Sequence, residues 1–340
     1  MDEICYQKFL TTRICDLNLD IDYVMAHPFQ RLKTELSEHR IRLWPDFYFG
    51  NEWGCVNKKI SISIPFHLAT PELKKFEEDI PTSEELVKIL RHETGHAINY
   101  AYKLWQYRDW KIMFGDFNKK YRDKYLYRVN PWSKSYVRHL HFLGDPHYAQ
   151  KHPDEDWAET FAIWLDPRSK WEIRYRNWPV ALEKLYFVDG LMKKLAGKKP
   201  LNLETEQDGL YTSLEETVSE WWGLDDDIFN PEVQEYIRDM NELFHKTGNG
   251  NGAYLPAWKL IHRYSMLLVE YVSLWISGSN KHTVRKKLLQ CQAICKAENL
   301  LYFPSEEEQK LIELTTLLSC YVVDGVHNFR KHSKRDMNGR

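Results

Sequence analysis

The sequence predicts an α+β fold in which a small mixed sheet and several helices are followed by a mostly α-helical C-terminal region. Three observations support this class. The chain has 340 residues, more than the ~100–200 of one ordinary domain. Strand-like and helix-like periods alternate between residues 11 and 70, whereas only helical periods follow residue 210. Glycine (15) and proline (14) are too few for a many-turned all-β chain.

Composition and charge exclude several classes of protein. Apolar residues make up 43% of the chain and charged residues 28%, which is typical of a globular protein. The formal net charge of −2 offers none of the basic surplus that nucleic-acid coat proteins and polybasic membrane binders need. The longest apolar stretch, 264–276, is too short to span a bilayer. We therefore expect neither a nucleic acid nor a membrane among the partners.

The N-terminal residues and the cysteines indicate in which cellular compartment the protein is expected. Charged residues interrupt the first twenty positions, so no apolar core of a secretory signal is visible there. The six cysteines form no CxxC pair, which argues against a zinc ribbon and favours reduced thiols. Cys291 and Cys295, four apart on a predicted helix, are expected to pack in a core. These features predict a cytoplasmic protein.

The elements of the N-terminal half follow from periodicity and capping signals. Helical spacing of apolar residues, alternation of isoleucine with serine, and a Thr82–Glu85 capping box each predict one kind of element. Residues 106–150 show turn signals, among them Gly144-Asp145-Pro146, and no regular period. The predicted elements are a helix at Asp22–His39, a strand at Ile41–Phe49, a half-buried strand at Lys59–Leu68, and helices from Thr82 to about Trp105, at Pro153–Leu165 and at 178–196.

The second half predicts helices alone. Turn clusters at 197–209, 248–252 and 277–279 separate them. The predicted helices are 213–223, 231–246, 256–277, 282–298 and 305–328. We therefore predict an N-terminal domain at 1–197, a helical C-terminal domain at 210–330, and a basic, solvated tail at 331–340.

The candidate chemistry begins with His92-Glu93-Thr94-Gly95-His96, an HExxH motif on the predicted helix. The i, i+4 spacing places two imidazoles on one helical face, close enough for one tetrahedral ion. Glu93 lies about 60° around the helix from His96, so it can reach a metal-activated water and act as its general base. Gly95 costs a helix about 1 kcal/mol against alanine, and a close approach of another segment would explain it.

A catalytic zinc site needs a third protein ligand, and the segment PDEDWAETFA offers carboxylates. Glu155 and Glu159 are four apart and share a helix face. One can bind the metal while the other hydrogen-bonds a ligand histidine. For Asp154 and Asp156 we favour a simpler role, in which acids of a first turn stabilise the positive end of the helix.

HETGH, followed 59 residues later by EDWAETFA, resembles the gluzincin class of zinc metallopeptidases. More narrowly, these motifs with the block HYAQKHPDEDWAETFAIWLDPRSKW resemble a bacterial family of zinc-binding metallopeptidases, over about residues 11–195. The resemblance implies a zincin-like metallopeptidase domain that holds one Zn²⁺ per chain. It also implies His92, His96 and Glu155 as the ligands, Glu93 as the base and Glu159 as the residue that supports a ligand histidine.

The E-x-x-A-E phrase is similar to the ligand phrase of the anthrax lethal factor protease, where a tyrosine seven residues earlier assists catalysis. That position is Tyr148 here, whose hydroxyl could stabilise the oxyanion of a tetrahedral intermediate. Four histidines crowd the same stretch, and any of them could be a competing ligand or a substrate contact; they are His139, His141, His147 and His152. His152 lies where a helix cap belongs.

The favoured hypothesis is a zinc-dependent peptidase that cleaves a peptide or amide bond in a peptide or protein substrate. The alternative is a zinc-binding, non-proteolytic interaction protein whose helical half binds a protein partner. The intact Glu93 favours the enzyme, since a protein without the activity could lose this residue freely.

Overall fold

The computed structural model describes residues 3–77, 80–120, 129–140, 147–222, 231–246, 254–276 and 281–337. The content is mixed and mostly helical, in agreement with the predicted α+β class. The chain divides into two compact units, one of residues 14–215 and one of residues 1–13 with 216–340. No helix within the described ranges is long and apolar enough to cross a membrane.

Helix α1 spans Glu3–Leu10 and belongs to the second unit. The unit 14–215 contains the next elements in chain order. They are α2 (Ile21–Val24), α3 (Ala26–Glu38), β1 (Asp46–Gly50), β2 (Gly54–Cys55), β3 (Ser61–Pro65), α4 (Pro71–Lys74), α5 (Ser83–Tyr102), α6 (Arg108–Phe114), α7 (Pro153–Leu165), α8 (Trp171–Arg174) and α9 (Pro179–Leu195).

Strands β1, β3 and β2 form a small mixed sheet in that order. β1 runs parallel to β3 and β2 runs antiparallel to it. The prediction for β1 was wrong at its start, because the strand begins only after Pro45, which has no N–H for a ladder. The prediction of a half-buried β3 was also wrong, since all five residues are buried. The alternating serines are not solvated: Ser61 donates to the Asp46 carboxylate at 2.8 Å.

Helix α5 begins as its capping signal predicts. The Thr82 side chain accepts from the backbone of Glu85, and the Glu85 carboxylate accepts from the backbone of Thr82. The helix ends three residues earlier than predicted, at Tyr102, because Lys103 adopts a left-handed conformation with φ of 53°. Helix α7 occupies the predicted residues, with Pro153 in its first turn.

Helix α6 lies in the stretch that was predicted to be irregular. It has seven residues, too few to show a helical period in the sequence. Trp110 and Phe114 on this helix pack on Trp157 of α7, with ring centroids 6.4 and 5.5 Å away. This burial against α7 stabilises a helix that is too short to form by itself.

Helices α5 and α7 pack closely at Gly95. A Cβ atom at Gly95 would lie 3.0 Å from Cα and 3.3 Å from the carbonyl oxygen of Ala158. Trp157 Nε1 donates to the Gly95 carbonyl at 2.7 Å across the same contact. The close approach that Gly95 suggested in the sequence is therefore present, and it brings the first turns of α7 alongside the two histidines.

The second unit is predominantly helical, as predicted. Besides α1 it contains α10 (Val218–Trp222), α11 (Pro231–Leu243), β4 (Leu255–Pro256), α12 (Ala257–Arg263), α13 (Ser265–Trp275), α14 (Lys281–Ala297), β5 (Leu301–Tyr302) and α15 (Glu307–Met337). The predicted helix 256–277 is divided into α12 and α13 at Tyr264, and the short antiparallel pair β4–β5 was not predicted. Cys291 and Cys295 lie in the apolar core of this unit, as expected.

The boundaries of the predicted C-terminal tail and of the predicted domains can be compared with the structure. Helix α15 continues through Met337, so residues 331–337 of the predicted tail are helical. Residues 198–215 return to the sheet of the first unit, where Ile60 N–H donates to the Glu204 carbonyl and Tyr48 donates to that of Asp208. The domain ranges 1–197 and 210–330 remain a prediction. The turns at 144–146, 248–252 and 277–279 lie outside the described residues.

The Gly95 contact yields a stability test. Gly95→Ala must force α5 and α7 apart, and overpacking of this kind costs ~1–3 kcal/mol. We expect a Tm lower by ~2–4 °C per kcal/mol in thermal denaturation. Gly190→Ala is the matched control, because no neighbouring atom lies within 4 Å of the Cβ position on α9. It should keep or slightly raise Tm. A Gly95→Ala protein as stable as Gly190→Ala would contradict the close packing.

Candidate metal centre

His92 and His96 lie on the face of α5 that meets α7, and both are almost fully buried. The two Nε2 atoms are 3.2 Å apart. The i, i+4 spacing brings both rings to one side, and the packing at Gly95 brings Glu155 of α7 opposite them. The sequence-predicted residues His92, His96 and Glu155 are thus neighbours in space.

Three ligand atoms form a nearly equilateral triangle. Glu155 Oε2 lies 3.0 Å from His92 Nε2 and 3.3 Å from His96 Nε2. In a tetrahedral zinc site with bonds of ~2.0–2.1 Å, ligand atoms are about 3.3–3.4 Å apart. The donor set and its spacing therefore fit Zn²⁺, which two imidazoles and one carboxylate commonly bind.

Glu159 lies behind His92. Its Oε1 accepts from His92 Nδ1 at 3.0 Å, which leaves Nε2 directed towards Glu155. The carboxylate also accepts from the backbone N–H groups of His139 and Leu140, the former at 2.6 Å. A carboxylate held by three donors in this way fixes both the tautomer and the orientation of the imidazole.

Asp154 has the same relation to His96. Its Oδ2 accepts from His96 Nδ1 at 2.8 Å and from the Tyr100 hydroxyl at 2.5 Å, and its Oδ1 accepts from Asn99 Nδ2 at 2.6 Å. The simpler helix-end role favoured from the sequence is therefore incomplete. Burial alone would raise the pKa of Asp154, but His96 and the other donors lower it. The sequence does contain a signal for this contact, which is that Asp154 and Glu159 lie on either side of the predicted ligand Glu155.

Asp156 is likewise buried rather than solvated. Its Oδ2 pairs with Lys184 Nζ of α9 at 2.6 Å. Burial raises the pKa of this carboxyl to about 6 despite the lysine. The helix-end role expected from the sequence does not account for this buried ion pair.

Glu93 is buried within the same centre, one position beyond His92 on α5. Burial raises the pKa of Glu93 above its ordinary value, while the two histidines oppose that rise. A backbone hydrogen bond from Cys55 of β2 also favours the ionised form. A carboxyl tuned upwards by burial is suited to accept and return a proton near neutral pH.

The protonation of the two imidazoles is set by the surrounding carboxylates. Burial alone would lower the pKa of His92, but Glu155 and Glu159 raise it to about 9. The pKa of His96 is raised against burial by Asp154 and Glu155. Burial would raise the pKa of Glu155, yet the histidines lower it to about 2. The cluster favours two positive charges here, which either two protons or one divalent cation can supply.

Tyr148 belongs to a 3-10 turn, Tyr148–Gln150, that precedes α7. Its ring centroid lies 5.7 Å from that of His92, so the side chain is close to the ligand triangle. Lys151 Nζ lies over the same ring, 5.1 Å from its centroid.

The neighbouring histidines have other contacts. His152 caps α7 by accepting from the Asp154 N–H, as expected. His139 donates from Nε2 to the Lys88 carbonyl at 2.8 Å. Within the described residues, the group that could hold a metal consists of His92, His96 and Glu155. His141 lies outside those residues.

Comparison with known families agrees with this chemistry. Residues 66–220 match the family described as "Putative zinc-binding metallo-peptidase". The matched segment contains α5 and α7 and therefore every residue of the ligand triangle. No curated protein and no solved structure matches the chain at a significant level.

The two glutamates of α7 should differ in their effect on zinc affinity. Glu155→Gln removes a donor of the triangle and should cause the larger loss. Glu159→Gln should weaken zinc binding ~10–100-fold, as the loss of a partner of a ligand usually does. Titration against a chelator of known affinity measures both, with the exposed Glu183→Gln on α9 as the control. A Glu159→Gln loss larger than that of Glu155→Gln would reverse the assignment.

Proposed function

We propose that this chain is a zinc-dependent peptidase that hydrolyses a peptide or amide bond in a peptide or protein substrate. The observation that carries the proposal is the triangle of His92, His96 and Glu155 with the buried carboxyl of Glu93 beside it. A purely structural zinc site needs four protein ligands and no base. Three ligands with an adjacent carboxyl are the arrangement of a catalytic site.

His92, His96 and Glu155 would hold the zinc. When bound, the metal acidifies a water molecule and polarises the substrate carbonyl. Asp154 and Glu159 keep the two imidazoles in the tautomer that leaves Nε2 free to bind. The chain thereby supplies a preorganised site in which little has to move when metal binds.

Glu93 would act as the general base. It takes a proton from the attacking water and then delivers that proton to the departing amine, so that the peptide bond breaks without a free amide anion. Its raised pKa supports the first step, because a carboxylate of higher pKa is the stronger base, and the protonated carboxyl that results then serves as the acid.

Tyr148 would stabilise the oxyanion. A phenol is neutral at working pH, since its ordinary pKa is ~10, and it can donate a hydrogen bond without adding a charge to the site. Its position beside His92 supports this role. We extend the proposal to the fold: the sheet with α5 and α7 is a zincin-like domain, with site motifs similar to those of the anthrax lethal factor protease.

Glu93→Gln tests the base. The variant should bind zinc with an affinity close to that of the wild type but lose activity by ~10²–10⁴-fold, the usual contribution of a general base. Labelled casein and a mixture of quenched peptides serve as substrates. Glu84→Gln, in the exposed first turn of the same helix, is the matched control. Equal activity of Glu93→Gln and wild type would refute the mechanism. A zinc-loaded wild type that cleaves neither substrate would favour the non-proteolytic alternative.

Tyr148→Phe tests the oxyanion role. Loss of one such donor usually costs ~10²–10³-fold in turnover. We expect kcat to fall with little change in KM and with full zinc occupancy. Tyr186→Phe on α9, where the ring is half exposed, should leave both constants unchanged. A Tyr148→Phe enzyme with wild-type kcat would reduce this residue to packing, and one that lost zinc would mean that Tyr148 belongs to the metal site.

A further inference from the structure

A buried ion pair lies next to the metal centre and has no part in the proposed chemistry. Lys184 of α9 is 5% exposed and Asp156 of α7 is 2% exposed. Their Nζ and Oδ2 atoms are 2.6 Å apart. Burying two charges costs several kcal/mol of solvation, and apolar residues of similar volume often serve a core equally well. The pair therefore calls for an explanation other than stability.

Lys184 makes a second contact that suggests one. Its Nζ donates to the carbonyl of Ser135 at 2.9 Å and lies 4.3 Å from the ring centroid of Tyr136. Ser135 and Tyr136 belong to residues 129–140, which we call the crossing segment because it contacts both α5 and α7. One lysine thus ties the crossing segment to the first turn of α7.

The crossing segment reaches the metal centre four residues later. His139 and Leu140 donate their backbone N–H groups to the Glu159 carboxylate. Oε1 of the same carboxylate also accepts from His92 Nδ1. His139 Nε2 also donates to the Lys88 carbonyl of α5, so the segment spans the two site helices. A continuous path therefore runs from Lys184 to Ser135, along the backbone of the crossing segment to His139, and through Glu159 to His92.

The contact of Lys184 with Asp156 and the contact of the crossing segment with Glu159 both act on α7. Asp156 and Glu159 are three residues apart on α7, so both face the crossing segment. Lys184 fixes the distance between the crossing segment and α7 at Asp156. Because Glu159 lies one turn later on α7, the distance between the segment and Glu159 depends on this contact. A second anchor exists, because Arg138 N–H donates to the Tyr175 hydroxyl, and loss of Lys184 should therefore loosen the segment without releasing it.

We propose that Lys184 is a positioning residue of the metal site, which holds the crossing segment against α7 so that Glu159 orients His92. This inference rests on the proposed function, since it assigns a role in zinc binding.

The test must separate positioning from stability. Lys184→Met alone leaves the Asp156 carboxylate buried without a cation and is expected to destabilise the chain strongly. The informative variant is Lys184→Met with Asp156→Asn, which contains no unpaired charge. It is compared with Asp156→Asn alone, in which the Lys184 ammonium keeps the Ser135 carbonyl and the Tyr136 ring as partners. Lys193→Met is the matched control, because it removes a lysine that pairs with Asp189 on the surface of the same helix. The full-length protein is used throughout, well below its Tm.

Two quantities are measured, the zinc dissociation constant and the hydrogen exchange of the His139 and Leu140 amides in the metal-free protein. We expect the double variant to bind zinc about 10-fold more weakly, at the low end of losses for partners of metal ligands. Its two amides should exchange about 10-fold faster, the equivalent of one lost hydrogen bond to a charged group. Lys193→Met should stay within about twofold of wild type in both quantities, because its ion pair is exposed. Asp156→Asn should do the same, because Lys184 still donates to the Ser135 carbonyl.

The outcomes are distinct. A double variant with a lower Tm but wild-type zinc affinity and exchange would overturn the proposal and leave Lys184 a stabilising role only. Equal losses in Asp156→Asn alone would assign the effect to the aspartate and would also overturn it. A wild-type chain that binds no zinc would contradict the proposed function instead, and the exchange rates would then decide whether Lys184 holds the crossing segment.

Discussion

The close packing of α5 against α7 at Gly95 is the contact on which the metal centre depends. With no side chain at that position, the backbone of α7 approaches to within van der Waals distance, and Trp157 donates to the Gly95 carbonyl. Only at this separation can carboxylates of α7 reach imidazoles of α5 directly. A larger residue would move Glu155 away from the histidines, so the helix-weakening glycine is explained by the site that it permits.

The second constraint is electrostatic. Four carboxylates and two imidazoles share one buried volume; the carboxylates are Glu93, Asp154, Glu155 and Glu159. Such a cluster is stable only if each charge has a partner. Each histidine has its own carboxylate at Nδ1, which leaves both Nε2 atoms and Glu155 facing a common point. The same arrangement that holds protons on the imidazoles of the metal-free cluster creates the affinity for a divalent cation.

Local signals in the sequence were sufficient for the two helices of the site. A capping box and a proline in the first turn defined the starts of α5 and α7, and both are short-range features. The HExxH spacing predicted that His92 and His96 are neighbours, and the resemblance of EDWAETFA to a family motif added Glu155 to them. Glu159 was assigned to support a histidine, and it does contact His92.

Features that depend on distant partners were not predictable in the same way. Asp154 and Asp156 look alike in the sequence, yet one contacts His96 and the other Lys184, 28 residues away. β3 alternates like a half-exposed strand but is buried throughout, because residues 198–215 return to the sheet and Glu206 N–H donates to Ser61. Helix α6 is stabilised by aromatic contacts with α7 rather than by its own period. In each case the partner lies far along the chain.

The most direct test is X-ray absorption at the zinc edge of the purified, zinc-loaded protein. The account predicts one zinc per chain with nitrogen and oxygen neighbours at ~2.0–2.2 Å, two of them imidazoles, and no sulfur at ~2.3 Å. His92→Ala with His96→Ala should abolish that spectrum. Sulfur neighbours would contradict the central claim that α5 and α7 together form a zinc site. A wild-type chain that retains no zinc, after the same loading as the double variant, would also contradict it.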